Sequence, residues 1–207
     1  MGQLVALNTL IDTRQVWQGR AAPLPGSNES TGWPALDVAL PTGGWPEHAM
    51  TEILLPVDGV GELQLVLPTL ARMTQAARQV MVISPPYLPC VAGWEARGVV
   101  MSHVDIVQAA ARDVLWAAEQ CLRSGSCAAV LAWPQQADDR ALRRLQVAAD
   151  TGKALAFVFR DVRHAVQASP ASLRLELESQ PAPRVRIRKC RGGNPPAQAV
   201  PLAAGWS

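Results

Sequence analysis

The sequence predicts an α/β fold: a mostly parallel sheet flanked by helices, with a C-terminal antiparallel hairpin and a separate N-terminal helix. Three observations predict it. From Trp33 onward, short β-prone runs alternate with helical patterns. Those runs are continuously apolar, as strands covered on both faces must be. After Ala168 the pattern changes to polar–apolar alternation, the mark of strands with one wet face.

Near the start, Leu4, Leu7 and Ile11 stand at helical spacing with Leu10 beside them, a stripe of about two turns. Residues 20–32 (RAAPLPGSNESTG) are rich in Pro, Gly and Ser and read as a linker. Residues 1–32 are therefore expected to form an N-terminal helix and linker, 33–194 the core domain and 195–207 a C-terminal tail. Within the core, 51–55 (TEILL) predicts a strand and 62–77 a helix. Residues 79–84 (QVMVIS) predict a strand that Pro85 and Pro86 stop, and 104–107 another short one. A helix is expected over 112–124, with Leu115, Ala118 and Leu122 on one face and Gly125 as its stop. Then follow a strand at 128–133 (AAVLAW), a helix at 139–151 and a strand at 154–159 (ALAFVF). Residues 172–178 (SLRLELE) and 184–189 (RVRIRK) make the hairpin.

Composition narrows the function. A chain of 207 residues with 49% apolar and 17% charged residues can bury one sizeable core. A net charge of +2 announces neither a nucleic-acid nor a membrane partner. Cys90, Cys121, Cys127 and Cys190 form no C-x-x-C pair and have no neighbouring histidine, so a zinc site is not expected. No apolar run reaches the ~20 residues of a membrane span, and no basic stretch leads into an apolar one at the start. A cytoplasmic, nucleoid-associated protein is expected.

The turn after the first strand is where a nucleotide-binding sheet protein holds phosphates. Here it reads Leu54-Leu55-Pro56-Val57-Asp58-Gly59-Val60-Gly61-Glu62-Leu63-Gln64. A working loop needs Gly-Lys-Ser/Thr, the lysine for the β- and γ-phosphates and the hydroxyl for magnesium. Aligned on Gly61, Glu62 stands at the lysine position and Leu63 at the hydroxyl position. A carboxylate against a polyphosphate is like-charge repulsion at contact. No cofactor and no ATP binding of the usual kind are expected from a loop of Gly59, Gly61, Glu62 and Leu63.

The approach to that loop is similar to the same region of bacterial RecA: Ser30-Thr31-Gly32, Leu36-Asp37-Val38-Ala39-Leu40, Gly43-Gly44-Trp45-Pro46, Glu52-Ile53. The resemblance implies a RecA-like sheet. It also puts Pro86 where the catalytic glutamate belongs and Trp133 where the magnesium-side aspartate belongs. With those groups and the lysine missing, the chain is expected to be no enzyme. A closer resemblance is to the ImuA family. It rests on Val5-Ala6-Leu7, Val16–Arg20 (VWQGR), Gly59–Leu63 (GVGEL), Leu115–Gly125 (LWAAEQCLRSG), Arg143-Arg144-Leu145-Gln146, Ser169-Pro170-Ala171 and Arg191-Gly192. That family implies a RecA-like adaptor in SOS-induced, error-prone translesion synthesis. Its implied partners are RecA, a Y-family-like protein (ImuB) and an error-prone DnaE-type polymerase. The loops at 134–139 and 161–168 are short, so DNA contact would be weak. The alternative is a SulA-type cell-division inhibitor, which shares an I-x-P-P turn like residues 83–86 and would bind the tubulin-like division protein.

Partner-binding candidates follow. Arg184, Arg186 and Arg188 would share one strand face, and Lys189 and Arg191 the other. They read either as a solvated, aggregation-guarding edge or as a docking surface. By resemblance, Lys189 and Arg191 match a pair that reaches a neighbour's nucleotide in RecA filaments. Trp17, with Arg14 and Arg20 beside it, suits an exposed anchor. Trp116 reads as helix packing, Arg140, Arg143 and Arg144 as a solvated face or a partner contact, and the three histidines have no shared spacing.

Overall fold

A computed structural model describes residues 26–202. Among these residues eight strands form one sheet: β1 (Met50–Leu55), β2 (Gln79–Ile83), β3 (Val104–Val107), β4 (Cys127–Ala132), β5 (Leu155–Asp161), β6 (Leu173–Glu178), β7 (Arg184–Cys190) and β8 (Val200–Pro201). Their order is β3-β2-β4-β5-β1-β6-β7-β8. The pairs from β3 across to β6 are parallel, while β6–β7 and β7–β8 are antiparallel.

This corrects the expected class. The sheet is a mixed one with few helices, not a RecA-like parallel sheet with a hairpin appended. β6 pairs in parallel with β1, Glu52 opposite Arg174, so the alternating strands belong to the body of the sheet. The α-helices among the described residues are α1 (Pro34–Ala39), α2 (Glu62–Gln75), α3 (Val91–Glu95), α4 (Val114–Arg123) and α5 (Asp139–Gly152); α1 and α3 are barely a turn and a half. The N-terminal helix expected at the start lies outside the described residues.

The two faces of the sheet are built from different sizes of side chain. Leu131, Leu155, Phe157, Phe159, Leu173, Leu175, Val185 and Ile187 join one cluster with Trp33, Trp45 and the inner side of α2. Their odd-even neighbours Val130, Ala132, Ala156 and Val158 lie under Ala118, Leu122, Leu142 and Leu145 of α4 and α5. Strand alternation sends the large set one way and the small set the other. The small set lets α4 and α5 come close. α5 ends against α4 so tightly that a Cβ on Gly152 would sit 1.7 Å from the Leu122 carbonyl oxygen.

Part of the expected linker is packed structure. Trp45 Nε1 donates to Thr69 Oγ1 (2.8 Å) and Trp33 Nε1 to the Leu65 carbonyl (3.0 Å). Arg72 donates to the Ser30 carbonyl, and Gly32, at φ 83°, lies on Pro68 where a Cβ would meet Pro68 Cβ at 2.3 Å. The segment 27–33 is thus a strap across α2, and its Ser and Gly serve turns rather than flexibility. Within the expected tail, Val200 pairs with Val185, and Leu202 is buried. No helix among the described residues is long and apolar enough to cross a membrane.

Candidate functional site

The carboxyl ends of β1, β2, β4 and β5 open into a cavity of about 450 Å³, the end of a parallel sheet where ligands and partners are ordinarily met. Leu55, Phe159 and Trp133 form its apolar wall. Trp133 is stacked on Phe159, ring centroids 4.3 Å apart and planes 12° apart. The Trp133 Nε1–H is buried and has no acceptor among the described residues.

One lip is the turn after β1. Gly59 and Gly61 take φ of 82° and 93°, conformations open chiefly to glycine. Glu62, the first residue of α2, is buried, and its Oε1 accepts from the Gly59 N–H at 3.1 Å. The loop is folded round its own carboxylate, in the position where a phosphate loop would hold an anion. Leu63 packs partly against the core. The second lip is the turn after β2. Ser84 has φ 48°, strained for a residue with a Cβ. It is held there by bonds from its N–H to the Val107 carbonyl (2.8 Å) and from the Ala109 N–H to its Oγ (2.9 Å). That kink aims Pro86, Tyr87 and Leu88 outward: Tyr87 is 68% and Leu88 75% exposed, beside Val57 on the first lip at 62%. Large apolar side chains in water on two adjoining lips mark a surface that something covers.

The opposite lips are the segments after β4 and β5, and a buried ion triad fixes both. Glu52 of β1 receives Arg160 Nη1 on one oxygen and Arg174 Nε on the other, both at 2.6 Å. All three side chains are at least nine-tenths buried. Arg160 donates onward to the Ala137 carbonyl (3.1 Å). Arg174 donates to the carbonyls of His164 (3.0 Å), Ala165 (3.3 Å) and Gln167 (2.9 Å). This triad was not singled out from the sequence. Its signal was present: a glutamate in TEILL and arginines in ALAFVFRD and SLRLELE, charges inside runs otherwise destined for burial.

The residues singled out at the nucleotide positions do meet here: Asp58 beside Gly59, Pro86 and Trp133 line one cavity. The basic set on β7 does not. Arg186 pairs with Glu178 (2.8 Å) and Arg188 with Glu176 (2.5 Å), and Lys189 Nζ donates to the Ser169 carbonyl (2.8 Å). The register slips between Arg174 and Leu175, so Lys189 lies opposite Arg174 on the same face as Arg186, not on the other face. Burial pushes the Lys189 ammonium below its usual range, and the charge of Arg174 adds to that. Arg184 and Arg191 have no carboxylate partner among the described residues. Trp17 and Arg20 lie outside the described residues. On α5, Arg143 pairs with Asp139 (2.7 Å) and Arg144 with Glu119, while Arg140 is exposed. Trp116, expected to pack, is 60% exposed. Among the described residues no His, Cys, Asp or Glu cluster is arranged to hold a metal.

Comparison with known proteins decides between the two families. A family model described as "Cell division inhibitor SulA" matches residues 49–156, from the edge of β1 into β5. Among solved structures, the crystal structure of SulA from Pseudomonas aeruginosa is similar at 24% identity and a TM-score of 0.45, covering 53% of this chain and 96% of that one. No curated protein matches. The match overturns the ImuA reading, and with it the translesion adaptor role and the partners RecA, ImuB and a DnaE-type polymerase. The words that carried that reading, such as those around Trp116, fall on exposed helix surface, where short identities impose little on fold or site. With just over half of its length taken in by that model, the chain belongs to the SulA family of cell division inhibitors.

Proposed function

We propose that this chain inhibits cell division by binding the tubulin-like division protein, and that it does so without catalysing a reaction. Its setting is the response to DNA damage. The observation that carries the proposal is the family match over 49–156, which takes in both apolar lips of the cavity. Val57, Tyr87 and Leu88 give that stretch a surface suited to another protein, since exposed aromatic and aliphatic side chains are what a partner's surface covers. The groups that would carry phosphate chemistry are replaced by Glu62, Leu63, Pro86 and Trp133, which supports binding over hydrolysis. Titration of the chain into division protein assembling with GTP tests the reading by sedimentation. Polymer should fall as chain is added, and Tyr87→Ala/Leu88→Ala should lose the effect with an unchanged melting temperature. Polymer that stays constant at several-fold excess of chain would overturn the proposal.

A further inference from the structure

We propose that the cavity at the carboxyl ends of β1, β4 and β5 receives an acidic side chain on an apolar loop of the division protein, held by Trp133, Arg163 and His164. The inference deepens the binding reading above and rests on it. A volume of about 450 Å³ would suit a small ligand as well as a few side chains. The lips decide between them. A small molecule inside would leave Val57, Tyr87 and Leu88 in water, whereas a protein loop entering the cavity brings a surface that covers them.

The acidic character follows from what the walls still offer. The Trp133 Nε1–H is buried without an acceptor, which is costly for a donor until one arrives. Arg163 lines the same cavity, and its side chain is 72% exposed; its contact with Asp161 is long, 3.8 Å. Asp161 Oδ1 is already engaged by the Arg163 backbone N–H (2.7 Å). His164 stands next to Arg163, its Nδ1 3.1 Å from Gln167 Oε1. Asp58 is on the facing lip, so an incoming anion is steered to the Trp133 and Arg163 side. A carboxylate has two acceptor oxygens for an indole and a guanidinium together. The carbonyl contacts from Arg160 and Arg174 already fix the backbone at 137 and 164–167, so these donors need little ordering on binding.

The test uses the full-length chain and purified division protein, with affinity measured by calorimetry at low and high salt. Trp133→Phe keeps the ring on Phe159 and removes the N–H; it should weaken binding about tenfold without moving the melting temperature. Arg163→Ala should weaken it similarly and flatten the salt dependence. Alanine replacement of one exposed Asp or Glu on the division protein should add nothing to Arg163→Ala, the mark of a direct pair. If the wild-type chain binds and both variants bind equally well, the inference fails and the inhibitor reading stands. If the wild-type chain does not bind, both fall. Saturable binding of GTP or inorganic phosphate by the chain alone, lost in Arg163→Ala, would make this a small-anion site and overturn the proposal.

Discussion

Replacing Glu52 by glutamine keeps the shape of the side chain and removes one negative charge from the centre of the sheet. Two guanidinium groups then lose their counter-charge in a place where neither reaches water, since Glu52, Arg160 and Arg174 are 0%, 2% and 7% exposed as side chains. Breaking one buried pair by removing a partner costs about 3–5 kcal/mol. The loss here should stay in that range rather than double it. Arg174 keeps three carbonyl acceptors and Arg160 keeps one, and the amide oxygen of glutamine still accepts from one of them. Set against a typical domain stability of about 5–15 kcal/mol, this is a large fraction. Urea denaturation followed by fluorescence should show the midpoint falling by about 1–3 M with an unchanged slope. Hydrogen exchange should quicken first at 134–138 and 162–167, the two segments that the arginines hold. The triple replacement of Glu52, Arg160 and Arg174 by methionine should be far milder than Glu52→Gln alone, because no charge is left stranded. A midpoint shift under about 0.3 M for Glu52→Gln, which is within about 0.5 kcal/mol at typical slopes, would refute this account of the triad.

Gly152→Ala would drive a methyl group into the Leu122 carbonyl and should destabilise the chain by about 2 kcal/mol or more, read as a drop in melting temperature. Glu119 responds to pH: burial pushes its carboxyl up, but hydrogen bonds from Arg144 and Arg123 outweigh that and hold it below its ordinary 4.5. Below that value the unfolded chain binds the proton first, so stability present above about pH 4.5 should be lost as pH falls through the lowered folded value. Glu119→Gln should flatten this acid limb, and an acid limb identical to wild type would count against it. Trp116→Ala should leave stability within about 0.5 kcal/mol by urea denaturation, because the indole is mostly in water.

Strands β2, β3 and β4 were legible because each is an apolar run with a breaker beside it, and α5 because Asp138 accepts from the Ala141 N–H to start it. The fold class was not. Alternation in 173–178 says that one face is wet, but the parallel partner of β6 is β1, more than a hundred residues away in sequence, and no local pattern reports that. Counting by two along β7 failed at Arg188, where the slip places consecutive residues on one face. β8 was invisible: two residues in a proline-rich stretch have no period to detect. Of the site, the convergence of residues 58, 86 and 133 could be expected once the strands were ordered. The outward aim of Tyr87 and Leu88 depends on a positive φ at Ser84, which serine does not advertise. The choice of family turned on helix-surface words near Trp116, which were read as more diagnostic than the turn at 83–86.

The loop that closes on Glu62 has a consequence for how the surface meets its partner. An ordinary phosphate loop is shaped by the anion it holds, so its outline changes as nucleotide comes and goes. Here the anion is covalently part of the chain, and the Gly59 N–H is satisfied before anything else arrives. Val57 and Tyr87 are therefore presented in one outline whatever the nucleotide supply of the cell. The surface behaves as a template cast once, unresponsive to energy charge, and its activity can be set only by how many copies of the chain are present.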